Sequence, residues 1–180
     1  MQDLIAAVNK SCAQQNWYAA LYMALTMPDI CAKLEDPTST ESGKRYRAWF
    51  DTHLKPTYKS PFHGPDFHFL NAGDLWALRC SLLHEGTDEI THQKSREVLR
   101  KFKFTTQSMH CGQMHDVLVL NVSSFCSEMI AAVEQWLVAK GSQPDIRERL
   151  SEMAVIEEQG FSPIPGVWIG GNGEHGPTDA

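Results

Sequence analysis

Residues Asn71–Gly86 read NAGDLWALRCSLLHEG, and this stretch predicts one amphipathic helix. Asn71 can accept an N-cap hydrogen bond, Asp74 places a negative charge in the first turn, and Gly86 favours a left-handed stop after the last turn. At about 100° per residue, one broad arc of the helix is apolar. This arc is formed by Leu75, Trp76, Leu78, Leu82 and Leu83.

Arg79 projects from the middle of the apolar arc, whereas Ala77, Ser81 and Glu85 lie on the opposite side. Two interpretations of this arginine remain open. In the structural one, an acidic side chain or backbone carbonyl groups satisfy it, because buried charges persist only when they are paired. In the functional one, the arc faces a cleft or a subunit interface, and Arg79 binds an anion such as phosphate through its planar guanidinium.

The composition favours a cytoplasmic protein with one core. The chain has 180 residues, of which 42% are apolar, and this suits one domain. Its apolar runs fall short of the roughly 18 residues that a membrane helix needs, and MQDLIAAVNK at the start lacks a signal-peptide pattern. Five cysteines without a CxxC pair indicate reduced thiols. The formal net charge of −6 argues against broad non-specific nucleic-acid binding, although a local basic patch can serve a specific site.

The rest of the chain predicts a mainly α-helical bundle with a small inserted β-hairpin. Apolar residues recur at helical spacing in five further segments, at 2–15, 16–36, 41–55, 123–140 and 145–159, and Pro28 should kink or restart the second of them. Phe102–Thr106 and Val117–Val122 are the best strands, and the turn-like residues between them favour a hairpin over 102–122. We therefore expect a single helical domain over 1–160. A Gly/Pro-rich tail over 161–180 should be extended or disordered except for an anchored Val167–Ile169.

The run Arg79-Cys80-Ser81-Leu82-Leu83-His84 places an arginine and a histidine five positions apart, and Glu85-Gly86 follow. It resembles the R-x4-6-H motif of HEPN domains, which are helical bundles, many of them metal-independent ribonucleases or toxins. The helical character of the chain and the arginine on an apolar face strengthen the resemblance. One departure is Cys80, because many members of that family carry Asn, Asp or His directly after the arginine. A thiol is a poorer polar organiser than any of these.

The resemblance implies RNA cleavage through the ribose 2′-hydroxyl, without metal or cofactor. His84 would act as general acid or base, and Arg79 would stabilise the charge on the phosphorane. The two side chains lie about 140° apart around an ideal helix, so one helix alone would not focus both on one phosphate. HEPN domains form dimers whose motifs share a cleft, so the resemblance implies a homodimer in which a second His84 cooperates.

The resemblance also leaves the biological role open. It implies a toxin or defence protein, for which an antitoxin partner is conceivable. The alternative is a non-catalytic helical binding module of the same fold, in which Arg79 forms a structural ion pair.

The densest basic run of the chain follows the motif and is a candidate RNA-binding surface. It comprises Lys94, Arg96, Arg100, Lys101 and Lys103. The competing interpretation is an ordinary solvated face of a helix or loop.

His110, Cys111 and His115 are close enough in sequence to be considered as metal ligands. A structural zinc site wants four ligands, and a catalytic one wants three with an open position. These three have no recognised spacing, so the sequence favours a chance cluster, and no metal is predicted.

Overall fold

The computed structural model describes residues 1–170, and this part of the chain is mainly α-helical, as the sequence predicts. None of its helices is both long enough and apolar enough to cross a membrane. The α-helices are α1 (Gln2–Ala13), α2 (Trp17–Glu35), α3 (Ser42–His53), α4 (Ala72–Glu85), α5 (Val122–Lys140) and α6 (Pro144–Ser151), with a 3-10 turn at Lys55–Tyr58. The strands are β1 (Lys101–Thr105), β2 (Gly112–Met114), β3 (Val117–Asn121), β4 (Phe161–Ile164) and β5 (Val167–Ile169).

The core lies among the first five helices. Helices α2 and α5, each of 19 residues, pack against each other, while α1 and α3 pack on α2 and α4 packs on α3. Helix α2 runs without interruption through Pro28, so the helix is not restarted there. Large side chains at the centre are fully buried, among them Leu25, Phe50, Phe125 and Trp136. Burial of each such side chain stabilises the fold by about 1.5–3 kcal/mol.

Helix α4 begins at Ala72 and ends as predicted at Gly86, whose φ of +70° is left-handed. The predicted side-chain cap is wrong, because the Asn71 side chain makes no capping hydrogen bond. The Gly73 N–H instead donates to the Glu97 carboxylate at 2.7 Å. A Cβ at Gly73 would clash with the Ser95 carbonyl oxygen, so only glycine allows this close approach.

Asp74 holds the segment after α4 in place through hydrogen bonds, and its role is not limited to a favourable interaction with the helix dipole. Its buried carboxylate accepts the backbone N–H groups of Glu97, Val98 and Leu99 at 2.7–3.3 Å. Burial raises the pKa of this carboxyl group, and the three N–H donors oppose that rise. A sequence-distant loop is thereby held against the first turn of α4.

The buried face of α4 is wider than the predicted arc. Ala77 and Ser81, expected on the opposite side, are buried, whereas Trp76 and Leu83 are only partly buried. The loop held by Asp74 encloses α4 on the side that was expected to face solvent. Arg79 therefore lies at the border of the enclosed surface and not in its middle.

The two predicted strands are present, but the predicted hairpin between them is wrong. β1 and β3 pair in parallel, with Lys101 opposite Val117 and Thr105 opposite Asn121, and β2 forms the antiparallel hairpin with β3. The strand order is β1-β3-β2, so β3 is central. The unbroken apolar run Val117–Leu120 suits a strand that is covered on both faces better than an alternating hairpin strand.

The C-terminal part of the described chain ends in a second, two-stranded sheet. Helix α6 stops at Ser151, eight residues before the predicted Gln159, and β4 and β5 pair antiparallel. The expected anchoring of Val167–Ile169 is wrong, since all three side chains are exposed. The rest of the predicted tail, residues 171–180, lies outside the described residues.

Candidate functional site

Arg79 joins α4 to α2 through an ion pair with Asp29. Its Nη2 atom donates to Asp29 Oδ2 at 2.8 Å, and the two side chains are 18% and 20% exposed. The guanidinium carbon lies 5.2 Å from the centre of the Trp76 ring, which is a cation–π distance. The Arg79 Nε atom is buried and has no hydrogen-bond partner among the described residues. Arg79 is thus held on two sides, by a carboxylate and by an aromatic face.

Trp76 is itself positioned by α3. A Cβ at Gly43 would lie 2.9 Å from the indole, so the ring packs directly on the α3 backbone. The buried Tyr46 ring lies 5.1 Å from Trp76, and the Tyr46 hydroxyl donates to the Leu25 carbonyl oxygen at 3.3 Å. Three helices therefore meet around the Arg79 side chain.

His84 lies against Arg79 within the same chain, with 3.0 Å between Arg79 Nη1 and His84 Nε2. The expectation that one helix keeps the two groups apart is therefore wrong, because the long arginine side chain spans the angle between the two positions. A guanidinium can only donate, so this contact requires an unprotonated His84 Nε2. The imidazole is exposed, whereas most of the arginine is covered. A basic nitrogen and a guanidinium are thus presented together at the end of α4.

Cys80 is not an activated nucleophile. Burial raises the pKa of its thiol, and the neighbouring Arg79 guanidinium opposes that rise without overcoming it. A raised pKa leaves less of the thiolate, which is the form that reacts readily.

A polar network that sequence reasoning missed holds the segment 92–93 against the last turn of α4. Gln93 Nε2 donates to Ser81 Oγ at 3.1 Å and to the Glu85 carboxylate at 3.3 Å. His92 Nε2 lies 2.9 Å from Glu85 Oε2. The only sequence signal was a serine and a glutamate on the presumed solvent side of the helix.

The basic run lies in a loop and in β1, and not on a helix. Lys101 and Lys103 both contact Asp88, at 3.3 and 3.0 Å, and Arg100 contacts Asp116 at 3.1 Å. Most of the positive charge of this run is therefore compensated within the chain. Lys94 and Arg96 are exposed, and Arg96 donates to the Thr91 carbonyl oxygen. These two residues follow the segment that is fastened to the end of α4.

Among the residues considered as metal ligands, His110 is engaged in other hydrogen bonds. His110 accepts the Asn121 N–H through Nδ1 and contacts Glu128 through Nε2, at 3.2 and 3.0 Å. Cys111 and His115 have φ angles of +54° and +55° in the turns on either side of β2. Within residues 1–170, no group of three or more His, Cys, Asp or Glu side chains is arranged to hold a metal ion.

The fold and the site define a mainly α-helical protein with a surface cluster of Asp29, Arg79 and His84 at the end of a central helix. Comparison with protein-family models, with curated proteins and with solved structures found no match to this chain.

Proposed function

We propose that this chain is a HEPN-like, metal-independent ribonuclease whose catalytic residues are Arg79 and His84. The observation that carries the proposal is the 3.0 Å contact between Arg79 Nη1 and the basic Nε2 atom of an exposed histidine. A general base and a phosphate-binding cation are two of the groups that promote cleavage by the ribose 2′-hydroxyl. Neither group depends on a metal ion.

The reaction follows from the protonation state of the two groups. His84 Nε2 removes the proton from the 2′-hydroxyl, and the 2′-oxygen forms a bond to phosphorus. The bond from phosphorus to the 5′-oxygen breaks, and that oxygen leaves with a proton. The products are a 2′,3′-cyclic phosphate and a 5′-hydroxyl. Arg79 donates to the phosphorane oxygens, whose charge is greatest in the transition state.

The proton for the leaving oxygen comes from a second histidine in this proposal. The second His84 belongs to another copy of the chain in a homodimer, as the HEPN resemblance implies. The first His84 would take a proton while the second gives one. The contact of Arg79 with His84 is released as the phosphate binds, while Asp29 keeps hold of the other guanidinium nitrogen.

A role as a toxin or defence protein, with an antitoxin partner, belongs to the same proposal. An antitoxin that covers the end of α4 would suppress cleavage without unfolding the chain. Lys94 and Arg96 are exposed members of the basic run that lie outside its ion pairs with Asp88 and Asp116, so they suit contacts to the RNA backbone.

A second candidate function is a non-catalytic binding module of the same fold. The observation that favours it is the Asp29–Arg79 ion pair, which gives the arginine a structural role in joining α2 to α4. In that case, removal of Arg79 lowers stability, and removal of the exposed His84 has no measurable effect on any activity.

The two candidates are separated by incubating RNA with the purified chain in EDTA. Arg79→Ala and His84→Ala should each reduce cleavage at least 100-fold, since general acid–base catalysis contributes about 10²–10⁴-fold. The matched controls are Arg147→Ala, an exposed arginine on α6, and His68→Ala, a histidine outside the cluster. Cleavage that survives either site variant sinks the proposed site, and a folded wild-type chain that cuts no RNA favours the binding module.

A further inference from the structure

A groove of about 700 Å³ lies where the start of α2, the end of α4 and the end of β1 meet. This volume falls within the roughly 300–1,000 Å³ of small-molecule sites. Three aromatic residues line it, Trp17 and Tyr18 from α2 and Phe104 from β1. Leu82 of α4 and Gly86, which directly follows that helix, line it as well. Aromatic rings from two elements at one groove suit a flat ligand that stacks.

The edge of β1 that does not pair with β3 brings backbone donor and acceptor groups to this groove. Phe102 N–H donates to the Asp88 carbonyl oxygen, and Ile90 N–H donates to the Arg100 carbonyl oxygen, both at 2.9 Å. Alternate residues of a strand direct their backbone groups to the same edge, so those of Phe104 face this edge as well. Within residues 1–170, no loop or turn segment makes a backbone hydrogen bond to Phe104. Phe104 therefore presents one donor and one acceptor beside the aromatic rings.

The charges at the groove favour a neutral ligand over an anion. Asp88 and Lys103 both line it, and their charged atoms lie 3.0 Å apart. Lys101 contacts the same carboxylate at 3.3 Å and Glu89 at 4.0 Å, so two lysines face two acids. A phosphate gains little electrostatic attraction here. A planar neutral ligand can instead stack on the aromatic side chains and form hydrogen bonds with the strand edge through its polar groups.

The groove and the proposed catalytic site share the C-terminal end of α4. Leu82 lines the groove from the last turn of this helix, Gly86 directly follows the helix, and His84 projects from the same turn about 200° away around the helix axis. We infer that the groove binds a nucleobase of the RNA strand whose phosphate contacts Arg79 and His84. The base stacks on the aromatic rings, and its polar edge meets the backbone of Phe104. The identification of the ligand as RNA rests on the proposed function.

The test compares base-dependent binding in two exposed aromatic variants of the full chain. A fluorescent 2′-O-methyl RNA oligomer, which cannot be cleaved through the 2′-oxygen, is titrated beside an oligomer of the same length with abasic sites. Tyr18→Ala removes a groove ring that is 77% exposed, so the core is not disturbed. The matched control is Phe62→Ala, which is 89% exposed and does not line the groove.

The wild-type chain should bind the base-containing oligomer at least tenfold more tightly than the abasic one. Tyr18→Ala should weaken binding of the base-containing oligomer at least fivefold, because base stacking on one aromatic ring has an effect of this size, and should leave abasic binding unchanged. Phe62→Ala should change neither. Equal affinity for the two oligomers, or an equal loss in both variants, overturns the assignment.

Three further outcomes separate this inference from the proposed function and from another ligand. Cleavage of unmodified RNA that depends on Arg79 and His84, together with base-independent binding, overturns the groove assignment alone. If binding depends on the bases and is weakened by Tyr18→Ala, but no RNA is cleaved, the result supports the groove as a nucleobase site and overturns the proposed ribonuclease activity. Binding of adenosine monophosphate, measured by calorimetry, without binding of the oligomer shows a nucleotide site and overturns the assignment to RNA.

Discussion

The Asp29–Arg79 ion pair permits a quantitative stability prediction, because it joins two helices and is largely shielded from solvent. Exposed ion pairs contribute about 0.2–1 kcal/mol, and removal of one partner from a fully buried pair costs about 3–5 kcal/mol. The side chains here are 18% and 20% exposed, which places the pair between these limits. We expect Asp29→Ala to lower the free energy of unfolding by about 2 kcal/mol, or Tm by roughly 4–8 °C.

The reason for this loss is the uncompensated guanidinium, so removing the charge as well should recover part of it. Arg79→Met keeps an aliphatic chain over Trp76 and leaves no positive charge opposite residue 29. In a double-mutant cycle measured by urea unfolding, Asp29→Ala and Arg79→Met should show a coupling of about 1 kcal/mol. The matched control is Asp145→Ala, which breaks an exposed ion pair with Arg149 and should leave the unfolding midpoint unchanged. Strict additivity of the two changes, or an Asp29→Ala variant as stable as the control, refutes this reasoning.

Three further predictions concern α4. Asp74→Ala should lower the free energy of unfolding by about 3 kcal/mol, since it removes the shared acceptor of three backbone N–H groups. A loss below about 1 kcal/mol in urea unfolding contradicts this role of Asp74 as an anchor for the loop. Gly73→Ala should destabilise the fold despite the better helix propensity of alanine, because its Cβ would meet the Ser95 carbonyl oxygen, and a raised Tm would show that the loop adapts freely. Cys80 should react with a disulfide reagent more slowly than a free thiol at pH 7, and faster as the pH rises, because burial raises the pKa of its thiol. The signal is assigned to Cys80 by its loss in Cys80→Ser. A rapid reaction of Cys80 at pH 7 contradicts this prediction.

Local patterns predicted the helices well, and they located the ends of α4 better than its surroundings. Gly86 ends α4 as expected because a left-handed stop depends on the residue itself. The hydrogen bonds at the N-terminus of α4 could not be predicted in the same way, since Glu97 meets Gly73 and Asp74 only through tertiary folding. The same enclosing loop explains why Ser81 is buried although it lies opposite the apolar arc.

For the three-stranded sheet, the sequence predicted where two strands lie but not how they pair. The apolar runs at Phe102–Thr106 and Val117–Val122 identified two strands, but their pairing was wrong. The intervening residues contain β2, a strand of three residues too short to produce a periodic signal. This strand returns the chain so that β3 can run parallel to β1.

The candidate site was found from sequence only in part. The spacing of Arg79 and His84 identified both residues, but the 140° between their positions on an ideal helix predicted separation. Helical angles describe Cα positions, and they do not account for the reach of an arginine side chain. Asp29 lies 50 residues earlier in the chain, so no local pattern could pair it with Arg79. The contribution of Trp76 depends likewise on its packing against α3.

The chemical identity of the RNA ends left by the chain tests the central proposal most directly. In EDTA, mass spectrometry of the products should show 2′,3′-cyclic phosphate and 5′-hydroxyl ends, and a single 2′-deoxy substitution at the cleaved nucleotide should abolish the cut. Both results follow if His84 activates the 2′-hydroxyl while Arg79 stabilises the phosphorane. Products with 3′-hydroxyl and 5′-phosphate ends, or cutting that tolerates the 2′-deoxy nucleotide, would contradict this mechanism.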